Sequence, residues 1–288
     1  MNLATLLAHS SLIPGGRHFF SQVHMVASGN VIRRNATSTE LKSATNQVLF
    51  QELDSDPATH LRGTLVSPQA FAGQQQVTDA AVNWVADAYW QNASGNPITE
   101  FRTRWTVPQP PSTQTNQLIY LFNGMEPDEQ NPGILQPVLQ WGVSPSGGGG
   151  FWSVATYYVA AEGPAFSTEA ILVNPGDTLD GVIRLDSQDA NGFNYIAQFA
   201  GMPATALRVS SAHELVWCYE ALESYGASAD NSYYPASPET AFTAINVQTA
   251  TGNPALSWTP ETGGSNNGQR VGGINNSPTF GEVDIFYR

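Results

Sequence analysis

Two glutamines four residues apart, Gln136 and Gln140, and two glutamates six apart, Glu214 and Glu220, are the side chains of this sequence best placed to do chemistry. A carboxamide donates two hydrogen bonds and accepts others without titrating, which suits it to holding a carbonyl oxygen or a sugar hydroxyl. A carboxyl taken out of bulk water is a credible general acid or base. In the run from Ile134 to Gly142, period-two alternation puts Gln136, Val138 and Gln140 on one face of a strand. In the run from Ala212 to Glu223 it puts Glu214, Val216, Cys218 and Glu220 on one face, with His213, Leu215, Trp217 and Tyr219 on the other. Either Glu214 or Glu220 fits the acid, and either Gln136 or Gln140 the amide.

The elements that must position these side chains read as β-structure. Candidate strands cover 83–90, 100–107, 117–122, 135–141, 151–160, 170–173, 178–186, 193–200, 212–222, 242–249, 255–258 and 282–287. Turn chemistry separates them: Asn96-Pro97, Pro108 to Pro111, Asn131-Pro132-Gly133, the glycine run 147–150, Asn174-Pro175-Gly176-Asp177 and Asn191-Gly192. A dozen short strands without helical periodicity between them predict an all-β fold: a two-sheet antiparallel β-sandwich of jelly-roll, concanavalin A-like kind over residues 76–288. Pro137 cannot donate to a ladder, so its strand should bulge or lie on an edge. Residues 1–75 show no sustained period and are expected to be a tail or propeptide-like segment with one short helix near 40–49.

Composition narrows the partners. The 288 residues carry a formal charge of −13, which argues against a nucleic-acid binder needing cations against phosphate. No apolar run reaches the ~18 residues that span a bilayer. Cys218 is the single cysteine, so no intrachain disulfide forms. Metal binding is not expected, for lack of His-x-x-x-His or paired cysteines. No cofactor motif occurs, and a monomer is expected. Residues 1–75 hold five cations against four carboxylates, leaving six against twenty in the remainder, and they contain His9, His18, His24 and His60. Attraction between the two parts should therefore change across the acidic range. The stretch from Met1 to Ala8 has no positive charge before its leucines and makes a poor signal peptide.

Taken in order, Trp84, Trp105-Thr106-Val107-Pro108, Asn123-Gly124, Val138-Leu139-Gln140-Trp141-Gly142, Trp152 to Tyr158 and Glu220-Ala221-Leu222-Glu223 resemble the eqolisins, or glutamic peptidases, over residues 80 to 250. The resemblance implies an acid-acting endopeptidase whose catalytic pair falls on Gln140 and Glu220. The glutamate would activate water and pass the proton to the leaving amine, while the amide stabilises the oxyanion. It also implies a polypeptide substrate lined by Trp84, Asn123, Gln136, Trp141 and Tyr157. By the same resemblance residues 1–75 would form a propeptide held by charge and shed on acidification, and secretion is expected, with the cytoplasm as the alternative. The chain departs from the family in lacking a glutamate in its aromatic strand and in having Asn123 where aspartate is common.

Two rivals come from other classes. Tyr157, Tyr158, Trp152 and Trp141 among asparagines and glutamines would suit a lectin binding glycans. Glu282-Val283-Asp284 is similar to the paired acids of sandwich-fold glucanases, but Phe286 stands where a third acid is needed. That run is read instead as the closing strand with polar residues outward. Cys218 is read as buried and inert.

Overall fold

The computed structural model describes residues 10–19, 22–34, 38–53, 84–128, 133–160, 163–211, 213–227, 230–263 and 268–288. In chain order the strands are β1 Ser10–Ile13, β2 Gly16–Phe19, β3 Val23–Met25, β4 Val31–Arg34, β5 Ser38–Lys42, β6 Val48–Leu53, β7 Trp84–Gln91, β8 Ile98–Thr106, β9 Leu118–Glu126, β10 Gly133–Ser144, β11 Gly147–Ala160, β12 Ala165–Ser167, β13 Ile171–Leu172, β14 Thr178–Asp189, β15 Gly192–Phe199, β16 Met202–Ser211, β17 Trp217–Tyr225, β18 Glu239–Thr249, β19 Thr259–Thr262, β20 Arg270–Asn275 and β21 Gly281–Phe286. Among the described residues there is no α-helix, and a 3-10 turn lies at Asn231–Tyr233.

Two large sheets face each other. One runs β19-β7-β17-β9-β10-β11-β12-β3 with β13 beside β11, and the other runs β20-β21-β18-β8-β14-β15-β16-β4-β5-β6. Alternating side chains from both meet in one core, with Leu121, Leu139, Trp141, Cys218 and Leu222 from the first sheet against Phe101, Trp105, Ile183 and Phe242 from the second. The predicted sandwich is therefore the observed architecture. Cys218 is free and fully buried, and desolvation raises its thiol well above the ordinary range, as an inert core cysteine requires.

The turns follow the residues that dictate them. Asn174 and Asp177 close a turn through Asp177 N–H to Asn174 O at 3.0 Å, with Gly176 at φ +93°. On β21, Gly281, Val283 and Ile285 are buried while Glu282 and Asp284 lie outward of them, as the alternation predicts.

Four expectations change. Residues 38–53 form β5 and β6 rather than a helix, because Asn46 adopts a left-handed φ of 66° and the Ser43 hydroxyl accepts from Gln47 N–H, which makes a hairpin turn. Nor is the N-terminal portion a bare tail: β3 pairs with β12 and β4 with β16, both in parallel, in a sandwich otherwise built of antiparallel pairs. Residues 255–258 form no strand, since Leu256 and Trp258 turn into the core and Trp258 N–H goes to Asn276. Finally, the strand carrying Pro137 is neither at an edge nor bulged there. β10 lies between β9 and β11, and its ladder to β9 pairs Leu135 with Met125 and next Val138 with Phe122, so the proline falls in a gap of the ladder.

Candidate active site

The nine-stranded sheet has a second face, turned away from the core. Tyr120, Phe122, Val138, Tyr157, Ala221 and Tyr225 form a separate buried cluster on it, capped by Ile13 from the N-terminal hairpin. Gln140, Tyr157 and Trp84 all belong to this outer face: Tyr157 bonds Gln140 directly, and Trp84 packs edge-on to Phe122 at 5.6 Å. Gln136 joins them, being the cross-strand partner of Tyr157 and alternating with Val138.

Glu220, Asn123 and Trp141 lie on the opposite face. Glu220 alternates with the core residues Cys218 and Leu222, and its carboxyl accepts from Thr103 on β8 of the other sheet. Asn123 reaches the same sheet, donating to Gly181 O at 3.3 Å. Trp141 packs edge-on to Trp152 at 5.4 Å inside the core. The structure thus does not bring Gln140 and Glu220 together, and it takes Asn123 and Trp141 away from any cleft. Glu220 is fully buried with one oxygen unpartnered, and desolvation holds its carboxyl well above the usual range. Asn123 Oδ1, on its cross-strand partner, is equally unpartnered. Glu220→Gln keeps a donor between these atoms and removes the cost of holding an acid protonated in the core, so it should raise the thermal midpoint at neutral pH by at least a few degrees, roughly what 1 kcal/mol gives in a domain of this size. A melting experiment on the two proteins checks it. Glu214, the other candidate acid, is half-buried just ahead of β17, where desolvation raises its carboxyl.

The carboxyl that does share the glutamines' face is Glu223. Period two from Trp217 through Tyr219 and Ala221 carries it there, and a register shift in the ladder sets Trp84 opposite it. Glu223 pairs across β17 and β9 with Tyr120, and Tyr120 pairs across β9 and β10 with Gln140. Strands lie about 4.8 Å apart, so the Glu223 and Gln140 backbones are separated by about 10 Å with Tyr120 between them. Gln140 and Glu223 thus share one face of the sheet, two strands apart, with Tyr120 between them.

Hydrogen bonds tie this row together. Gln140 Oε1 accepts from Tyr157 at 2.9 Å, Ser144 at 2.9 Å and Ser146 at 3.4 Å, while its Nε2 donates to Gly142 O at 2.9 Å and Gly147 O at 3.0 Å. Both amide hydrogens of Gln140 are therefore engaged. Gly148 makes room for it: at φ +98°, a Cβ there would fall 2.4 Å from Gln140 Nε2 and 2.3 Å from Gly142 O. Gly148→Ala should cost about 2–3 kcal/mol through strained backbone and displaced amide, measurable by urea unfolding. Gln136, by contrast, is buried with neither amide atom partnered.

Glu223 is fully buried and desolvation raises its pKa to about 7, opposed by hydrogen bonds from Tyr225 and from the Gly15 backbone. Both carboxylate oxygens accept from Gly15 N–H, at 2.9 and 3.1 Å, and Tyr225 donates to one of them. Three residues away in the same hairpin, Leu12 O accepts from the Tyr120 hydroxyl at 3.3 Å. A length of the chain's own backbone thus occupies the row, with its carbonyl on a phenol and its amide on a carboxylate.

The sequence matches no protein-family model and no curated protein. The chain is similar to solved structures of scytalido-glutamic peptidase with a peptide-based transition-state analogue, at 16% identity, covering 70% of this chain and 98% of that one, with a TM-score of 0.46. It is also similar to SCP-B, a member of the eqolisin family of peptidases in complex with the tripeptide Ala-Ile-His, at 15% identity, 72% and 98% coverage and a TM-score of 0.46.

Proposed function

We propose that the chain is an acid-acting endopeptidase in which Glu223, not Glu220, activates water. The observation that carries the reading is the hairpin backbone across the row: the site holds a peptide by a carbonyl on Tyr120 and an N–H on Glu223, the two contacts a substrate peptide needs. With the hairpin gone and its burial relieved, Glu223 ionises in acid and takes a proton from water as the hydroxide oxygen bonds the scissile carbonyl carbon. The Tyr120 hydroxyl donates to the oxyanion so formed. The proton on Glu223 then passes to the amide nitrogen, the C–N bond breaks, and an acid and an amine leave. Gln140, its hydrogens already committed, fixes Tyr157, Ser144 and Ser146 beside Tyr120. Its role here is positioning.

The test is an acid-protease assay on a denatured protein with Glu223→Gln, Glu220→Gln, Tyr120→Phe and Gln140→Ala in parallel. If Gln140 itself supplied the oxyanion donor, Tyr120→Phe would retain full activity. Reducing-sugar release or glycan binding with no proteolysis would favour the carbohydrate alternative.

The hairpin β1–β2 is the cap in this proposal. Glu223 titrates higher beneath it than in water, because burial disfavours its charge. The covered form therefore binds the proton more tightly, so capping is favoured below the ordinary carboxyl range and weakens as pH rises toward 7. Burial likewise lowers His18 and His24 rather than readying them to charge, and His9 and His60 lie outside the described residues. Acid alone thus holds the cap down, and activation calls for cutting it away. A variant lacking residues 1–20 should cleave in acid at least about 10-fold faster than the full chain, as expected when a competent state held to a few per cent is freed. Equal rates would show that the hairpin does not obstruct.

A further inference from the structure

Beside Glu223, on the same outer face, lies an open cleft of about 410 Å³. Asp87, Glu126, Asp128 and Glu261 line it. Asp87 is the register partner of Ala221, two residues from Glu223, and Glu261 pairs with Asp87 on the neighbouring strand. Asp87 is only 4% exposed, its carboxyl opens onto the cleft, and no hydrogen bond or ion pair to it occurs among the described residues. Its charged neighbours in the cleft, Glu261 and Glu126, only repel it. A nearly buried carboxylate normally has a partner, because leaving one unpaired is costly. Here the surroundings supply an aromatic wall instead. Tyr89 packs edge-on to Trp217 at 5.8 Å and tilted on Tyr219 at 6.3 Å, and Trp84 closes the side nearest Glu223.

Carboxylates at the bottom of an aromatic-walled cleft are the complement of one chemical class, an alkylammonium or guanidinium. The ring faces attract the cation and its methylenes, while the acid takes its N–H groups. A neutral side chain would leave Asp87 unpaired. A sugar would meet the rings, but its hydroxyls would do nothing to offset the mutual repulsion of four neighbouring acids, which a cation relieves.

We infer that this cleft binds the lysine or arginine side chain of a polypeptide, one or two residues from the bond that lies over Glu223. The position follows from the sheet: Trp84 and Ala221 separate the two sites by one strand and two residues, the spacing between nearby side chains of an extended peptide. The assignment rests on the peptidase reading for the word substrate, but the cleft binds a cation whether or not the peptide is cut.

The test uses two fluorescent hexapeptides differing only in lysine against norleucine at one central position, with the full chain and the protein lacking residues 1–20, each as parent, as Asp87→Asn and as the double variant Asp87→Asn, Glu126→Gln. Binding is followed by anisotropy at about pH 7, where the acids can ionise against a cation. In parallel, cleavage is measured by chromatography with the protein lacking residues 1–20. The lysine peptide should bind the protein lacking residues 1–20 at least about 10-fold more tightly than the norleucine peptide, about 1.4 kcal/mol. Asp87→Asn should erase that ratio while leaving norleucine binding unchanged. Asparagine is isosteric and removes an unpaired buried charge, so the fold is retained, and thermal melting verifies this. Equal binding of the two peptides, or a lysine preference untouched in both variants, overturns the inference. Preferential binding without cleavage leaves the cation site standing and overturns the peptidase reading.

Discussion

Glu223→Gln is expected to reduce acid cleavage of a denatured protein by about 10²- to 10⁴-fold, the usual contribution of a positioned general base. The replacement keeps the shape and one oxygen to accept from Tyr225, so the row from Trp84 to Gln140 stays assembled while the basic carboxylate is lost. Glu220→Gln should leave the rate within a few-fold of the parent, since Glu220 meets Thr103 in the core and has no route to the outer face. The contrast between these glutamates, three residues apart, is the sharpest discriminator available. Rates for both should be taken on protein lacking residues 1–20, so that the cap does not mask the difference. If Glu220→Gln abolishes cleavage while Glu223→Gln retains it, the proposed site is wrong.

The second large effect concerns pH and stability. The carboxyls of Glu223 and Glu126 are raised to about 7 from an ordinary 4.5, that of Asp87 to about 7 from 3.8, and that of Glu220 well above its ordinary range, in every case chiefly through desolvation. A carboxyl whose folded pKa is raised contributes stability that is complete below its unfolded pKa and is lost as pH climbs through the folded one. Each shift of two to three units corresponds to about 3 kcal/mol, and neighbours that repel one another, such as Asp87 and Glu126, do not sum independently. Unfolding free energy from urea titration should therefore fall by at least about 5 kcal/mol between about pH 4 and pH 8. Asp180 acts in the opposite sense: burial is the largest single pull and raises its pKa, but the hydrogen bonds and charges of Arg104 and Arg102 together lower it, so its contribution is lost only as pH falls below the ordinary range. A midpoint that stays level or rises toward pH 8 would remove the basis for regarding these carboxyls as neutral in the fold.

Much of the architecture was legible in the sequence because its signals are local. Asn174-Pro175-Gly176-Asp177 encodes its turn in four residues, and the alternation from Ile134 to Gln140 gives the orientation of both glutamines without knowledge of any neighbour. β16 was missed although Thr205, Leu207 and Val209 alternate inward along it, because Pro203 and the short span after Phe199 broke the expected spacing. Which face of β17 meets Gln140 was not legible. Glu220 and Glu223 sit three apart, so a strand must send them to opposite faces. Deciding between those faces requires knowing that β8 packs on one of them and a hairpin on the other, which is long-range information. The unpaired state of Asp87 was invisible for the same reason, since a missing partner is a property of the assembled surroundings.

The parallel pairings of β3 and β4 bear on how the molecule could be divided. A backbone break anywhere between positions 53 and 84 would leave the front portion sewn into both layers, by β3 at one margin and by the β4–β6 ribbon at another. The two pieces should travel together through gel filtration and part only in denaturant. Maturation by a single nick at that place would yield a two-chain particle rather than a shortened one.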